Sequence, residues 1–282
     1  MYKSLLLLLS ISFISGCGYV VPTVNERIST LQNLIKDKNL TKETITTKEF
    51  NLLSIRKNLS TCRGKILDLY IEGDGLPWIT RDTISPNPTP INPLGLKLFL
   101  QDFHRCKLYL ARPCQYVKSS TCKEKYWSTS RFSTTVIESF NEALDKIKSA
   151  SKISSFRLFG YSGGGAVVAL LAAKRDDVSI FVTISGNLDI KEWTKEHHIT
   201  PLKGSLNPAN FAKKLSKINQ VHLLGGKDDI VPKSVFMSYL KNFKDKSHIS
   251  FKIYKDFNHH CCWESQWKMI LKDLDGKEKY KF

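Results

Sequence analysis

The 282-residue chain is short of acid: 26 Asp and Glu stand against 43 Lys and Arg, a formal net charge of +17. It also lacks a membrane-spanning run, which takes about 20 apolar residues; its longest apolar stretch, Leu5 to Ile14, stops well short. Neither an internal repeat nor a low-complexity tract is present, which excludes solenoids and collagen-like or disordered polymers. No nucleic-acid-binding motif accompanies the positive charge, so no nucleic-acid partner is expected. The excess is mostly lysine, and it reflects either a lysine-rich composition or an anionic partner such as lipid headgroups or glycans.

What is present begins with Phe156-Arg157-Leu158-Phe159, a strand pattern, running into Gly160-Tyr161-Ser162-Gly163-Gly164-Gly165 and then the helix-forming Ala166 to Ala173. Strand, glycine-walled serine and helix make the layout of a nucleophile elbow, with Gly160, Ser162 and Gly164 as its G-x-S-x-G. The turn is so tight that only residues with almost no side chain fit beside the serine. A phosphate-cradling loop would need a Gly-Lys-Ser or Gly-Lys-Thr element, and none follows.

Further blocks join the elbow: Ile71-Glu72-Gly73-Asp74-Gly75, Arg112-Pro113-Cys114-Gln115 and His259-His260-Cys261-Cys262-Trp263. Together they resemble the α/β-hydrolase superfamily, in particular its bacterial, often lipid-anchored, hydrolase-like members. The resemblance spans residues 45–275 and implies an α/β-hydrolase fold, a mostly parallel central sheet with helices on both faces. In that fold the acid and then the histidine follow the serine along the chain. The family's acid loop runs Gly, two residues, Asp, then a variable residue before Ile-Val-Pro, which selects Asp228; Asp229 ranks second, and Asp189 occupies an earlier position that some hydrolases use. The family's histidine loop selects His259, with His260 as the alternative.

Ser162, His259 and Asp228 would then act as nucleophile, general base and orienting acid. The oxyanion hole is expected at the backbone N–H of Gly163 and, from the glycine-flanked loop after an early strand, of Asp74. Esterases of this type usually carry histidine where this chain has Glu72, a departure from the pattern. No cofactor is implied, and the adjacent Cys-Cys and His-His pairs lack zinc-ligand spacing, so no metal is expected. Three functions are compatible: hydrolysis of an ester or thioester, acyl transfer from the same triad, and a silent hydrolase shell that binds an envelope component. The leading expectation is a monomeric hydrolase taking a small-molecule or lipid-like acyl substrate.

Location is suggested by Lys3, the apolar run and Ile14-Ser15-Gly16-Cys17, which resembles a bacterial lipobox. Residues 1–16 then form a signal peptide, Cys17 carries lipid, and residues 17–44 tether a domain at residues 45–282. Gly18 after the cysteine points to the outer membrane, facing the periplasm. Within the tether, Ile28, Leu31, Leu34 and Ile35 share a helical face suited to packing on the domain. Of seven cysteines, Cys17 aside, six remain for disulfides in an oxidising compartment. Cys114 with Cys122 is the expected pair, and Cys261 or Cys262 is expected to reach Cys62 or Cys106.

Strands are expected near Phe50 to Arg56, Lys65 to Ile71, Lys107 to Ala111, Ser179 to Ile184, Val221 to Leu224 and His248 to Tyr254. Helices are expected at Pro93 to Leu100 and Arg131 to Lys148. The proline-rich stretch from Leu76 to Ile91 reads as a loop beside the active site, and residues 187–217 as a cap insertion.

Overall fold

Strand-helix alternation produces a sheet of eight strands in the computed structural model, which describes residues 20–276. Residues 1–16 and Cys17, read above as leader and lipid attachment site, lie outside the described residues. In chain order the strands are β1 (Thr41–Thr46), β2 (Asn51–Arg56), β3 (Ile66–Ile71), β4 (Lys107–Leu110), β5 (Ser155–Tyr161), β6 (Val178–Ile184), β7 (Asn219–Gly225) and β8 (Ile249–Tyr254). Across the sheet they run β1-β2-β4-β3-β5-β6-β7-β8. The pairs β1/β2 and β2/β4 are antiparallel, and every other pair is parallel. A parallel sheet needs helical crossovers and is covered on both faces, as the expected α/β-hydrolase architecture requires.

The helices are α1 (Val24–Ile35), α2 (Leu94–Gln101), α3 (Thr134–Ser151), α4 (Gly163–Ala172), α5 (Ile190–Glu196), α6 (Ala212–Leu215), α7 (Lys233–Lys241) and α8 (Trp263–Asp275). Successive strand residues point to opposite faces, so two apolar clusters form. One joins Leu67, Leu69 and Leu158 to α3, α4 and α7. The other joins Tyr70, Phe159 and Val182 to α1, α2 and α8. Every residue of α4 is buried, which is why Ala166 to Ala172 is apolar all round rather than amphipathic.

Within residues 17–44, α1 packs on the domain through buried Arg27 and Leu31, and β1 starts at Thr41. β1 is an edge strand whose residues are mostly exposed, so its polar sequence carries no strand signal. The amphipathic stripe in α1 does face the domain, with Leu31 buried and Leu34 and Ile35 packed beside it. Helix α8 was also not foreseen; it buries Trp263, Trp267, Ile270, Leu271 and Leu274 at helical spacing.

Disulfides join Cys62 to Cys106, Cys114 to Cys122 and Cys261 to Cys262. The second pair is the expected one. The expected bridge from the histidine loop to Cys62 or Cys106 is corrected for a topological reason. Cys62 and Cys106 precede parallel strands β3 and β4, whereas Cys261 follows β8, so the two sets sit at opposite edges of the sheet. Among the described residues no helix is long and apolar enough to cross a membrane.

Candidate active site

β5 ends at Tyr161 and α4 begins at Gly163, leaving Ser162 alone in the turn with φ 53° and ψ −120°. A positive φ at a non-glycine residue costs on the order of 1–3 kcal/mol and persists only where the surroundings impose it. Here the Ser162 N–H donates to the Ile184 carbonyl at 2.9 Å, and the Ser162 carbonyl accepts from Gly165 at 2.9 Å and Asn187 at 3.1 Å. The flanking glycines are sterically required: a Cβ on Gly160 would strike the Gly164 carbonyl, and one on Gly164 would meet the carbonyls of Ile71 and Glu72.

The loops after β7 and β8 bring the other two expected residues to this turn. His259 Nε2 lies 3.0 Å from Ser162 Oγ, and His259 Nδ1 lies 2.9 Å and 3.1 Å from the two oxygens of Asp228. Asp228 Oδ1 also accepts the N–H groups of Ile230 at 3.0 Å and Val231 at 2.8 Å, which fixes the carboxylate. Burial pushes the Asp228 carboxyl up, but its bonds to His259 and the Val231 N–H outweigh that and hold it below the usual aspartate range. Tyr161 steadies the histidine loop, its hydroxyl donating to the His259 carbonyl at 3.2 Å.

The alternative residues take other roles. Asp229 is exposed. Asp189 caps α5 through the N–H groups of Lys191 and Glu192, and it accepts further bonds from Asn207 and Ser238. His260 is exposed, with Nδ1 at 3.2 Å from the Tyr161 hydroxyl rather than against Ser162.

Gly163, expected as an oxyanion donor, is the first residue of α4, where the N–H has no intrahelical acceptor and the helix dipole favours negative charge. Against it lies the loop that follows β3. A Cβ on Gly73 would come within 3.0 Å of the Tyr161 ring and 3.3 Å of Ser162 Cβ, so this loop is pressed onto Ser162. The Asp74 carboxylate is clamped by Arg112 Nη1 at 3.0 Å and Arg131 Nη1 at 2.8 Å. Burial alone would raise its pKa; the two guanidinium groups reverse that and hold it low. Gln115 completes the clamp, donating from Nε2 to the Gly73 carbonyl at 3.0 Å while its Oε1 accepts the Arg112 N–H at 3.0 Å. The two sequence blocks around Asp74 and Arg112 are thus one interlocked unit.

Glu72, the departure from the esterase pattern, is tied up elsewhere. Its carboxylate accepts from Gly73, from the first turn of α2 at Gly95 and Leu96, and from the Tyr109 hydroxyl. It anchors the N-terminus of α2 to β3, with burial pushing its pKa up.

Ser162 and His259 open into a cavity of about 660 Å³ whose walls include Leu76, Trp78, Ile91, Trp193, Ile230 and Val231, with Asn187 and Arg131 among them. The expected loop from Leu76 to Ile91 therefore does border the site, and α5 of the 187–217 segment contributes Trp193. Arg131, Gln115 and Asn187 were not foreseen as site residues. Arg131 carries no local motif, whereas Gln115 belongs to the Arg-Pro-Cys-Gln block and Asn187 follows Ser185-Gly186 directly after β6.

At the opposite edge of the sheet, Asp68, Asp102 and His104 are close enough to suggest a metal site. Arg157 instead binds both Asp68 oxygens, at 2.7 Å and 2.5 Å, and His104 Nε2 reaches Asp275, so the group is a charge network.

Sheet order, elbow and strand-end loops together define the α/β-hydrolase fold. No protein-family profile and no curated protein matches the sequence. Solved structures do match in shape. An esterase from Pyrococcus furiosus has TM-score 0.59 at 12% identity, covering 87% of this chain and 94% of its own. Est1E from Butyrivibrio proteoclasticus has TM-score 0.60 at 12% identity, covering 84% of this chain and 98% of its own. A serine hydrolase homologue from Coxiella burnetii has TM-score 0.57 at 12% identity, covering 83% and 94%. At such identities the likeness is one of fold.

Proposed function

We propose that this chain is a serine hydrolase that cleaves a carboxylic ester or thioester through an acyl-enzyme. The observation that carries the reading is the chain of contacts from Asp228 through His259 to Ser162 Oγ at the wall of a largely apolar cavity. Ser162 Oγ attacks the acyl carbonyl while His259 Nε2 takes its proton, and Asp228 stabilises the imidazolium. The N–H groups of Gly163 and Asp74 receive the developing oxyanion. His259 then protonates the departing alcohol or thiol, and water repeats the sequence to release the acid. The esterase names of the structural neighbours support an ester as substrate.

We also propose that the enzyme is a monomer held at the cell envelope by lipid on Cys17, facing the periplasm from the outer membrane. The lipobox-like Ile14-Ser15-Gly16-Cys17 and three disulfides suited to an oxidising compartment support this.

The test is fluorophosphonate labelling of the full chain in detergent, with the adduct located by mass spectrometry. Labelling on Ser162 that Ser162→Ala abolishes and His259→Ala suppresses is the expected result. Folded protein that takes up no label would overturn the reading.

A further inference from the structure

Asp228 is gripped on the side away from the imidazole by its own loop. Its Oδ1 accepts the N–H groups of Ile230 at 3.0 Å and Val231 at 2.8 Å. The Val231 N–H is one end of a peptide unit whose other end is the Ile230 carbonyl. Because that unit is planar, the direction of its carbonyl sets the direction of its N–H. Two side chains of α5 fix the carbonyl: Trp193 Nε1 donates to it at 2.7 Å, and His197 Nε2 lies 2.8 Å from it. A carbonyl oxygen only accepts, so His197 carries a proton on Nε2, and each of the two lone pairs has one ring donor.

Both rings stand on a braced helix. Asp189 caps α5 through the N–H groups of Lys191 and Glu192, and the same carboxylate accepts from Asn207 Nδ2 and from Ser238 Oγ of α7, each at 2.8 Å. The Trp193 and His197 rings pack with centroids 5.1 Å apart, and the Arg131 guanidinium lies 5.6 Å from the Trp193 ring. Ile230 is 38% exposed, so water alone could satisfy its carbonyl. Water satisfies an acceptor without fixing its direction; two rings on a braced helix do both.

Building on the proposed hydrolase reading, we infer that Trp193 and His197 are positioning residues for the acid of the triad. They orient the Ile230–Val231 peptide, the peptide orients Asp228, and Asp228 holds His259 against Ser162 Oγ. The chemistry tolerates little misplacement, since small shifts of a catalytic group cost rate out of proportion to their size. Trp193 also lines the cavity, so the two roles must be separated by removing its donor while keeping its ring.

The experiment uses the full chain carrying both Trp193→Phe and His197→Phe, which keep a ring at each position and delete only the donors. Folding is checked by circular dichroism, and kinetics are measured on a small activated ester, p-nitrophenyl acetate. kcat should fall about tenfold, the scale of one to two ordinary hydrogen bonds, while KM changes less than about twofold. The same pair of substitutions in an Asp228→Ala background should change kcat less than about twofold, because the group they orient is gone. An unchanged kcat, or a rise in KM alone, would overturn the inference, as would an equal fractional loss in the Asp228→Ala background. In each case labelling of Ser162 in the wild-type enzyme would leave the hydrolase reading intact; absence of labelling would overturn both. Should the paired variant fail to fold, Trp193→Phe and His197→Phe taken singly are each expected to lower kcat about threefold, with the same dependence on Asp228.

Discussion

The Asp74 carboxylate is packed against Gly163, the residue directly after Ser162: a Cβ at position 163 would lie 2.5 Å from Asp74 Cγ. An anion beside a developing oxyanion would oppose catalysis, and Arg112 and Arg131 neutralise it there. Gly163, the first glycine of the Gly163-Gly164-Gly165 run, thus makes room for the loop that carries Asp74. Gly163→Ala should push Asp74 and its N–H away and lower kcat about 10²-fold, the usual cost of losing one oxyanion donor. Steady-state kinetics on a soluble ester would check this, with KM changing far less than kcat.

The clamp also bears on stability, because all three of its charges are sequestered. Removing one partner of a buried ion pair costs about 3–5 kcal/mol where the other is left uncompensated, and less here, because Asp74 keeps Arg131 when Arg112 is lost. Arg112→Met should therefore lower the urea midpoint measurably. Adding Asp74→Asn to it should deepen the loss, since buried Arg131 would then be left without its carboxylate partner. A double variant as stable as Arg112→Met alone would mean that the Asp74–Arg131 pair contributes nothing to stability and that the cost of Arg112→Met is its lost packing on Phe132.

The elbow was legible in the sequence because its constraint is local: Gly160, Ser162 and Gly164 must sit two apart for the turn to close. The sheet was legible for the same reason, as buried parallel strands such as β5 and β6 read as apolar runs. The clamp was hidden because its contacts are long-range, joining Asp74 to residues 38 and 57 positions away. Glu72 stood out as a departure, but its purpose depends on α2 arriving at its carboxylate, which no local pattern encodes.

The two longer-range disulfides should separate stability from activity. Cys62–Cys106 spans 44 residues at the edge of the sheet away from Ser162, whereas Cys114–Cys122 spans 8 and ends in the block that holds Asp74 and Gly73. Loop-closure entropy gives about 4 kcal/mol for the first and about 2.5 kcal/mol for the second. Replacing Cys62 and Cys106 by serine should cost more in unfolding midpoint and leave kcat close to wild type. Replacing Cys114 and Cys122 should cost less stability yet lower kcat, because Arg112 and Gln115 lose their brace. The reverse ranking in kcat would argue against the interlocked unit.

Acid stability should depend on a histidine far from the chemistry. His222 is wholly buried, and burial pushes its pKa down to about 3. Its tautomer follows from its neighbours: Gln220 Oε1 already accepts the Tyr239 hydroxyl at 2.6 Å, so His222 Nε2 donates to that oxygen at 3.0 Å. His222 Nδ1 then accepts the Thr183 hydroxyl at 2.8 Å, leaving no lone pair for a second proton. Above the unfolded histidine pKa of about 6.5, neither the native nor the unfolded chain protonates this residue, and its contribution to stability is complete. Between pH 6.5 and about 3 the unfolded chain binds a proton that the native chain refuses, so stability falls with pH. His222→Gln should be less stable than wild type at pH 7, having lost this bonding geometry. The gap should narrow by about 3 kcal/mol at pH 4, because the variant has no proton to take up there. Urea unfolding of both proteins at the two pH values measures it, and a gap that stays constant would show that His222 is protonated in the folded protein or does not titrate on unfolding.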